Sequence, residues 1–205
     1  MNCVLILAVL LIALVGAGGA SGSERFVPAV AGPSWTIAYS PSMPATLSGE
    51  EGGYYFDFPT STDGVHYVIR RAPSVQMGQT VTIRFALEGN GRLLAAENGA
   101  QGQVRLFLQR VNDRLTGNEP YKRWWSVALV NLVSPGEYTL SVKIEPRAWL
   151  SVWGATGDTV PAEFAECMAN LANVGFTFGG GNHAGHGVYV ANRSVRFVLK
   201  QYSVR

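Results

Sequence analysis

From Tyr54 to the C-terminus the chain repeatedly alternates apolar and polar side chains with a period of two. Tyr54, Phe56 and Phe58 alternate with Tyr55 and Asp57, and Val65, Tyr67 and Ile69 with His66, Val68 and Arg70. Val81, Ile83, Phe85 and Leu87 alternate with Thr80, Thr82, Arg84 and Ala86. The same holds for Val104, Leu106 and Leu108 against Gln103, Arg105, Phe107 and Gln109. It recurs in Tyr138 to Ile144 and in Val195 to Leu199. Successive side chains of a strand point to opposite faces, so this pattern predicts antiparallel sheets that cover a core on one side. In each segment the first-named set is expected to face that core.

The links between these segments carry turn chemistry: Asp63-Gly64, Glu88-Gly89-Asn90-Gly91, Glu97-Asn98-Gly99, Ser134-Pro135-Gly136 and Gly154 to Gly157. Many short strands punctuated in this way predict an all-β protein, an antiparallel β-sandwich of the jelly-roll kind. One helix interrupts it, expected over 161–173. Pro161 suits a first-turn position, and Phe164, Cys167, Met168 and Leu171 recur at helical spacing. The helix is expected to plug one end of the sandwich.

Upstream, residues 1–20 hold no charged side chain, and Val4 to Val15 is an apolar run. That run is shorter than the roughly 20 residues of a membrane span. With Gly18 and Ala20 behind it, it reads as a signal peptide cut before Ser21, or else as an N-terminal anchor. Either way the domain is exported, secreted or held at the cell surface or in the periplasm. Residues 21–33, with Pro28 and Pro33, form a flexible lead-in, and 34–205 one β-sandwich domain.

Composition narrows the function. Sixteen Lys and Arg against fourteen Asp and Glu leave +2, too balanced for an electrostatic nucleic-acid binder. At 47% hydrophobic and 15% charged the chain is not disordered. Of the two cysteines Cys3 lies in the leader, so Cys167 has no partner in the mature chain and suits a buried helix face. No Gly-x-Ser-x-Gly elbow, phosphate loop, His-Glu-x-x-His or Cys-x-x-Cys occurs. The acidic residues form no obvious glycosidase pair.

Three features carry candidate chemistry. His183 and His186 lie three apart in Phe178-Gly-Gly-Gly-Asn-His-Ala-Gly-His-Gly-Val188. Imidazoles are metal ligands, yet the local sequence supplies no third one, so a structural hydrogen-bonding role in a glycine-allowed hairpin is expected. Trp124 and Trp125 are consecutive, so one must leave the core; Trp149 and Trp153 are expected to close its end. The polar positions His66, Arg70, Thr82, Arg84, Gln103, Arg105 and Gln109 would form one surface if their strands were neighbours. A solvated sheet face has the same composition, and both readings stay open at this point.

The C-terminal third then offers a likeness. Phe164, Leu171 and Asn173, the run Val174-Gly-Phe-Thr-Phe-Gly-Gly180, the Gly185-His-Gly-Val-Tyr189 turn and the last strand Val195 to Val204 resemble the close of jelly-roll domains of the carbohydrate-binding-module and galactose-binding-like type. The resemblance implies a lectin-like, non-catalytic module for a polysaccharide or glycoconjugate, with no cofactor; some such modules hold a structural calcium. The expected ligand-binding residues are His66, Arg70, Arg84, Arg105, Trp124 and Trp125. A surface domain with a protein partner is the alternative, and a polysaccharide hydrolase or lyase the third reading. The leader is testable directly: N-terminal sequencing of secreted protein should begin at Ser21, and an intact Met1 would show an anchor instead.

Overall fold

The computed structural model describes residues 35–205 except Glu51 and Pro73; the expected leader, the lead-in and Ser34 lie outside the described residues. In chain order the strands begin β1 (Thr36–Ala38), β2 (Ser48–Glu50), β3 (Gly53–Asp57) and β4 (Tyr67–Arg71). Next come β5 (Thr80–Gly89), β6 (Leu93–Ala95), β7 (Gln103–Arg110), β8 (Arg123–Asn131) and β9 (Gly136–Lys143). A short 3-10 turn leads into β10 (Trp149–Ser151), and helix α1 (Pro161–Ala169) into β11 (Leu171–Gly179). β12 (Val188–Val190) and β13 (Val195–Val204) follow.

Six strands form one sheet in the order β1-β4-β11-β7-β8-β10, and five form the other in the order β2-β3-β13-β5-β9. β6 and β12 pair as a small third ladder. Every strand pairing is antiparallel. Late strands lie between early ones: β13 separates β3 from β5, and β11 separates β4 from β7. That interleaving is the jelly-roll arrangement of an all-β sandwich, as the alternation and the resemblance led us to expect.

The sheets meet on aromatic rings. Phe197 of β13 is fully buried and stacks on Phe56 and Phe85 of its own sheet, with centroids 5.2 and 4.8 Å away. It also meets Phe176 at 5.2 Å and Phe178 at 5.6 Å in the facing sheet. Val81, Ile83, Leu87, Val104, Leu106, Leu108 and Leu140 complete this core on the sides their alternation predicts. Helix α1 buries Phe164 edge-on against Trp124 and brings Cys167 beneath it. Burial pushes that thiol up to about 12. No helix among the described residues is long and apolar enough to cross a membrane.

Three expectations need correction. First, β4 faces the opposite way: Val68 pairs with Phe176 and Arg70 with Val174, so these two point to the core side. Tyr67 and Ile69 therefore take the outer face. β4 has apolar residues on both faces, which leaves its alternation ambiguous. Arg70 is tolerated at the edge of the core because its guanidinium lies over Trp35 (5.4 Å) and Tyr202 (5.0 Å). Second, the helix stops at Ala169. Asn170 closes it through bonds to the Glu166 and Cys167 carbonyls, and Leu171 already belongs to β11. Third, Trp149 is in the core as expected, but Trp153 stands 69% exposed in the turn after β10. Deleting the Phe197 ring should cost about 3–5 kcal/mol. Denaturant unfolding of Phe197→Ala against Arg84→Ala, expected within about 0.5 kcal/mol of the parent, checks this.

Candidate functional site

The two outer faces of the sandwich differ in kind. On the five-stranded sheet Thr82 and Ser141 share a hydroxyl hydrogen bond of 2.7 Å. Arg196 donates to Asp57 and lies 4.1 Å above the Tyr55 ring. Arg84 is exposed there. This is an ordinary solvated face.

The outer face of the six-stranded sheet has an apolar floor. Tyr67 of β4, Phe107 of β7 and Trp125 of β8 form a second buried cluster, separate from the inter-sheet core. Tyr67 and Phe107 rings lie 4.9 Å apart, and Phe107 pairs with Trp125 in register. Ala38, Ile69, Leu115, Val152 and Ala184 pack around them. Ala38 comes from the β1 edge and Ile69 from β4 itself, and the other three come from connecting segments that wall the floor on several sides.

A polar network pins the segment between β7 and β8 onto this face. Arg123 Nη1 donates to Asp113 Oδ1 at 2.7 Å, with both side chains buried. Arg123 Nη2 donates to the Thr116 carbonyl, and Gln109 Nε2 to Asp113 Oδ2. Asn173 of β11 donates in turn to Gln109 Oε1 at 2.9 Å. Leu115 sits in the left-handed region (φ 56°), where its own N–H reaches Asp113. Breaking a buried pair of this kind costs more than forming it gains, because the partner charge stays behind.

Arg105 owes its position to a bulge. The β7–β8 register shifts between Arg105 and Phe107, so the ladder is interrupted. The Ser126 hydroxyl fills the gap, accepting from Leu106 N–H at 2.9 Å and donating to the Ala128 carbonyl. Arg105 Nη1 donates to the Ser126 and Val127 carbonyls at 2.7 and 2.8 Å. Burial lowers the pKa of this guanidinium from its ordinary value. Three buried atoms of the face, Gln103 Oε1, Arg123 Nε and Trp125 Nε1, have no partner among the described residues.

Of the residues singled out in the sequence, Arg105 and Trp125 lie on this face. His66 sits at its corner, ring nitrogens 2.8 Å from the Gly185 carbonyl and 2.6 Å from that of Asp63. Beside it stands Tyr39, 63% exposed and 5.9 Å from the imidazole, with φ at 60°. Gln103 and Gln109, the other polar positions of β7, lie on this face as well, and the fold keeps the remaining ones away. Trp124 is wholly in the core, Arg70 points to the core side, and Arg84 belongs to the opposite sheet. The imagined single surface does not form, because β5 is no neighbour of β4 or β7. Tyr67, Asp113 and Arg123 were missed. Phe107, an apolar residue on the otherwise polar side of β7, was the available signal.

His183 and His186 do meet a third group. Glu97, just after β6, brings its carboxylate to them, and one ligand atom from each residue lies within 4.8 Å of the others.

The chain is thus an antiparallel jelly-roll sandwich with one outer face built around aromatic rings. No family model matches it, and no curated protein does. Among solved structures it is similar to the xylan-binding module CBM15, at 14% identity and TM-score 0.46, over 85% of this chain and 95% of that one. It is also similar to a mutant Xylanase10C from Cellvibrio japonicus in complex with xylopentaose, at 14% identity and TM-score 0.42. There 84% of this chain covers 28% of the other. The likeness is one of fold alone, and no residue role is taken from it.

Burial raises Tyr67 to about 12 and likewise Tyr202, from an ordinary 10.0. A raised folded-state pKa favours the neutral phenol, so the contribution is complete below pH 10 and is lost as pH rises toward 12. Urea unfolding should show stability falling across that window, and Tyr67→Phe with Tyr202→Phe should flatten the fall relative to the parent.

Proposed function

We propose that the protein is an exported glycan-binding module whose ligand lies on the outer face of the six-stranded sheet. The observation that carries this reading is the make-up of that face: the exposed Tyr39 ring at its corner, loop walls packed over an aromatic floor, and hydrogen-bonding side chains held in place by the backbone. Rings pack against the apolar C–H faces of a sugar, and planar multi-donor groups bond its hydroxyls. Tyr39 is the exposed ring at the His66 corner of this face. It is a bulky residue held at positive φ, an outlier that persists only where its surroundings enforce it. Elsewhere on the face Arg105, Asn173 and Gln103 are partly exposed polar residues, and Trp125 shows only its rim at 8% exposure.

Binding fits better than catalysis here. Asp113, the carboxylate on this face, is committed to Arg123, Gln109 and the Leu115 N–H. A polysaccharide is the ligand class, since the extended face of a six-stranded sheet suits a chain. The charge-free apolar stretch within residues 1–20 supports export.

A panel of plant, fungal and bacterial polysaccharides, read by affinity electrophoresis and glycan array, tests the proposal. Loss of a stacked ring in Tyr39→Ala should weaken binding by about 1–3 kcal/mol, on the scale of aromatic stacking on bases. Arg105→Ala should also weaken it, and Arg84→Ala on the opposite sheet should not. Trp124→Ala should lower the melting temperature through its core cavity, while Trp125→Phe keeps an aromatic ring in the floor and removes the indole N–H together with part of the ring volume. If no glycan binds the parent, or if Tyr39→Ala and Arg105→Ala bind as it does, the reading fails and a protein partner takes its place.

A further inference from the structure

The geometry points to a divalent transition-metal site formed by Glu97, His183 and His186. It stands apart from the glycan reading and uses none of the residues proposed there.

The β6–β12 ladder creates the juxtaposition. Ala95 pairs with Val188 in an antiparallel register, and Ala96 N–H bonds to the Gly187 carbonyl at 2.9 Å. Extending that register by two residues sets Glu97 opposite His186. His186 Nδ1 and Glu97 Oε2 are 3.4 Å apart. His183 joins them through a tight turn: its N–H bonds to Gly180, and its carbonyl accepts from His186 N–H at 3.3 Å. The rings stand 5.3 Å apart, nearly perpendicular. Gly181, Gly185 and Gly187, with φ of 58°, 80° and 93°, allow two such turns in succession.

The spacing suits an ion. Ligand atoms about 2.0–2.1 Å from a tetrahedral zinc are about 3.3 Å from one another. The His186–Glu97 distance already matches that edge. All three ligand atoms lie within 4.8 Å, so closing the set needs a side-chain movement of at most about 1.5 Å. Two imidazoles and one carboxylate form a borderline donor set that favours zinc and its first-row neighbours. Calcium, which takes six to eight oxygens, is poorly served. His186 and Glu97 are each about half exposed, so water completes the coordination, and the ion enters from solvent.

The ion would clamp a segment that also borders the aromatic face. Ala184, between the two histidines in sequence, packs on the Tyr67–Phe107–Trp125 cluster. A side chain at Gly185 would collide with the Tyr67 hydroxyl, and the Gly185 carbonyl is held by His66. Metal binding at His183 and His186 therefore holds the same turn that Ala184 and Gly185 pack onto the sheet. The chain's remaining histidine does not compete, since both nitrogens of His66 face backbone carbonyls. Cys167 is buried, with its thiol pushed up to about 12.

The test uses tag-free, chelator-treated protein carrying Cys3→Ser, titrated calorimetrically with Zn2+ at neutral pH. We expect one ion per chain and a rise in melting temperature on adding it. His186→Ala and His183→Ala should lose both, and Glu97→Gln, which removes the anionic ligand, should weaken binding measurably. Co2+ in place of Zn2+ should give a visible absorption band that disappears in the same variants. Melting temperatures in chelator should match the parent, which separates loss of a ligand from loss of fold. Should His183→Ala fail that control, the solvent-facing His186→Ala and Glu97→Gln decide alone. No uptake by the parent, or parent-like affinity in His186→Ala, would overturn the site.

Discussion

The contact of Phe197 with Phe56, Phe85, Phe176 and Phe178 is what makes two sheets into one body. β13 arrives at the end of the chain and inserts between β3 and β5, so it supplies hydrogen bonds to both and an inward ring at their centre. Its register is therefore held from three directions: two neighbouring strands and the facing sheet. A slip of one residue would turn Phe197 outward and Arg196 inward, exchanging a filled aromatic socket for a buried charge. The bulge between Leu199 and Gln201 falls beyond this centre, where β13 continues alongside β5 and the constraint is weaker.

With that side of the six-stranded sheet filled, its other side is free to carry something else. A solvated face carries mostly polar side chains, as the five-stranded sheet illustrates with Thr82, Arg84 and Ser141. Here Tyr67, Phe107 and Trp125 put apolar area on the outward face, and the chain covers most of it with Leu115, Val152 and Ala184. Holding Leu115 over the rings requires a left-handed residue and a buried Asp113–Arg123 pair, both costly taken alone. The bulge in β8 adds an interrupted ladder, which Ser126 and Arg105 repair. Three local departures from the cheapest β-sandwich thus converge on one face. Such concentration of locally unfavourable choices is expected at functional sites.

Much of this was legible in the chain. Alternation marked the inward faces of β5, β7, β9 and β13 correctly, since the inward parity of each is apolar throughout its centre while the other is mostly polar, Phe107 of β7 and Val198 of β13 being exceptions. It misled at β4, where Val65, Tyr67, Val68 and Ile69 offer apolar residues on both parities and only pairing with β11 chooses between them. Alternation also says which side a residue takes within its own sheet, not which sheet it belongs to. Arg84 and Arg105 both look outward and end on opposite surfaces. The Trp124–Trp125 split followed from geometry alone, though not which ring would be inside. Glu97 was invisible as a partner of His183 and His186 because the β6–β12 pairing joins segments distant in sequence. Nothing local to the histidines announces it.

Residues 180–187 connect the aromatic face to the histidine cluster through a short piece of backbone. One side rests on Tyr67 through Ala184 and Gly185 and is tied by His66; the other carries His183 and His186 toward Glu97. Three glycines at positive φ make this segment costly to order, because glycine loses the most conformational freedom on folding. That cost is offset by contacts at both sides, and a ligand at either one acts on the same backbone. With both proposed ligands bound, an ion that restricts the segment would lower the ordering cost left for a saccharide at the face, and the saccharide would do the same for the ion. Thermodynamic linkage makes the two effects equal in size. The coupling needs no chain of side chains between the sites, only one stretch of main chain that both sites hold.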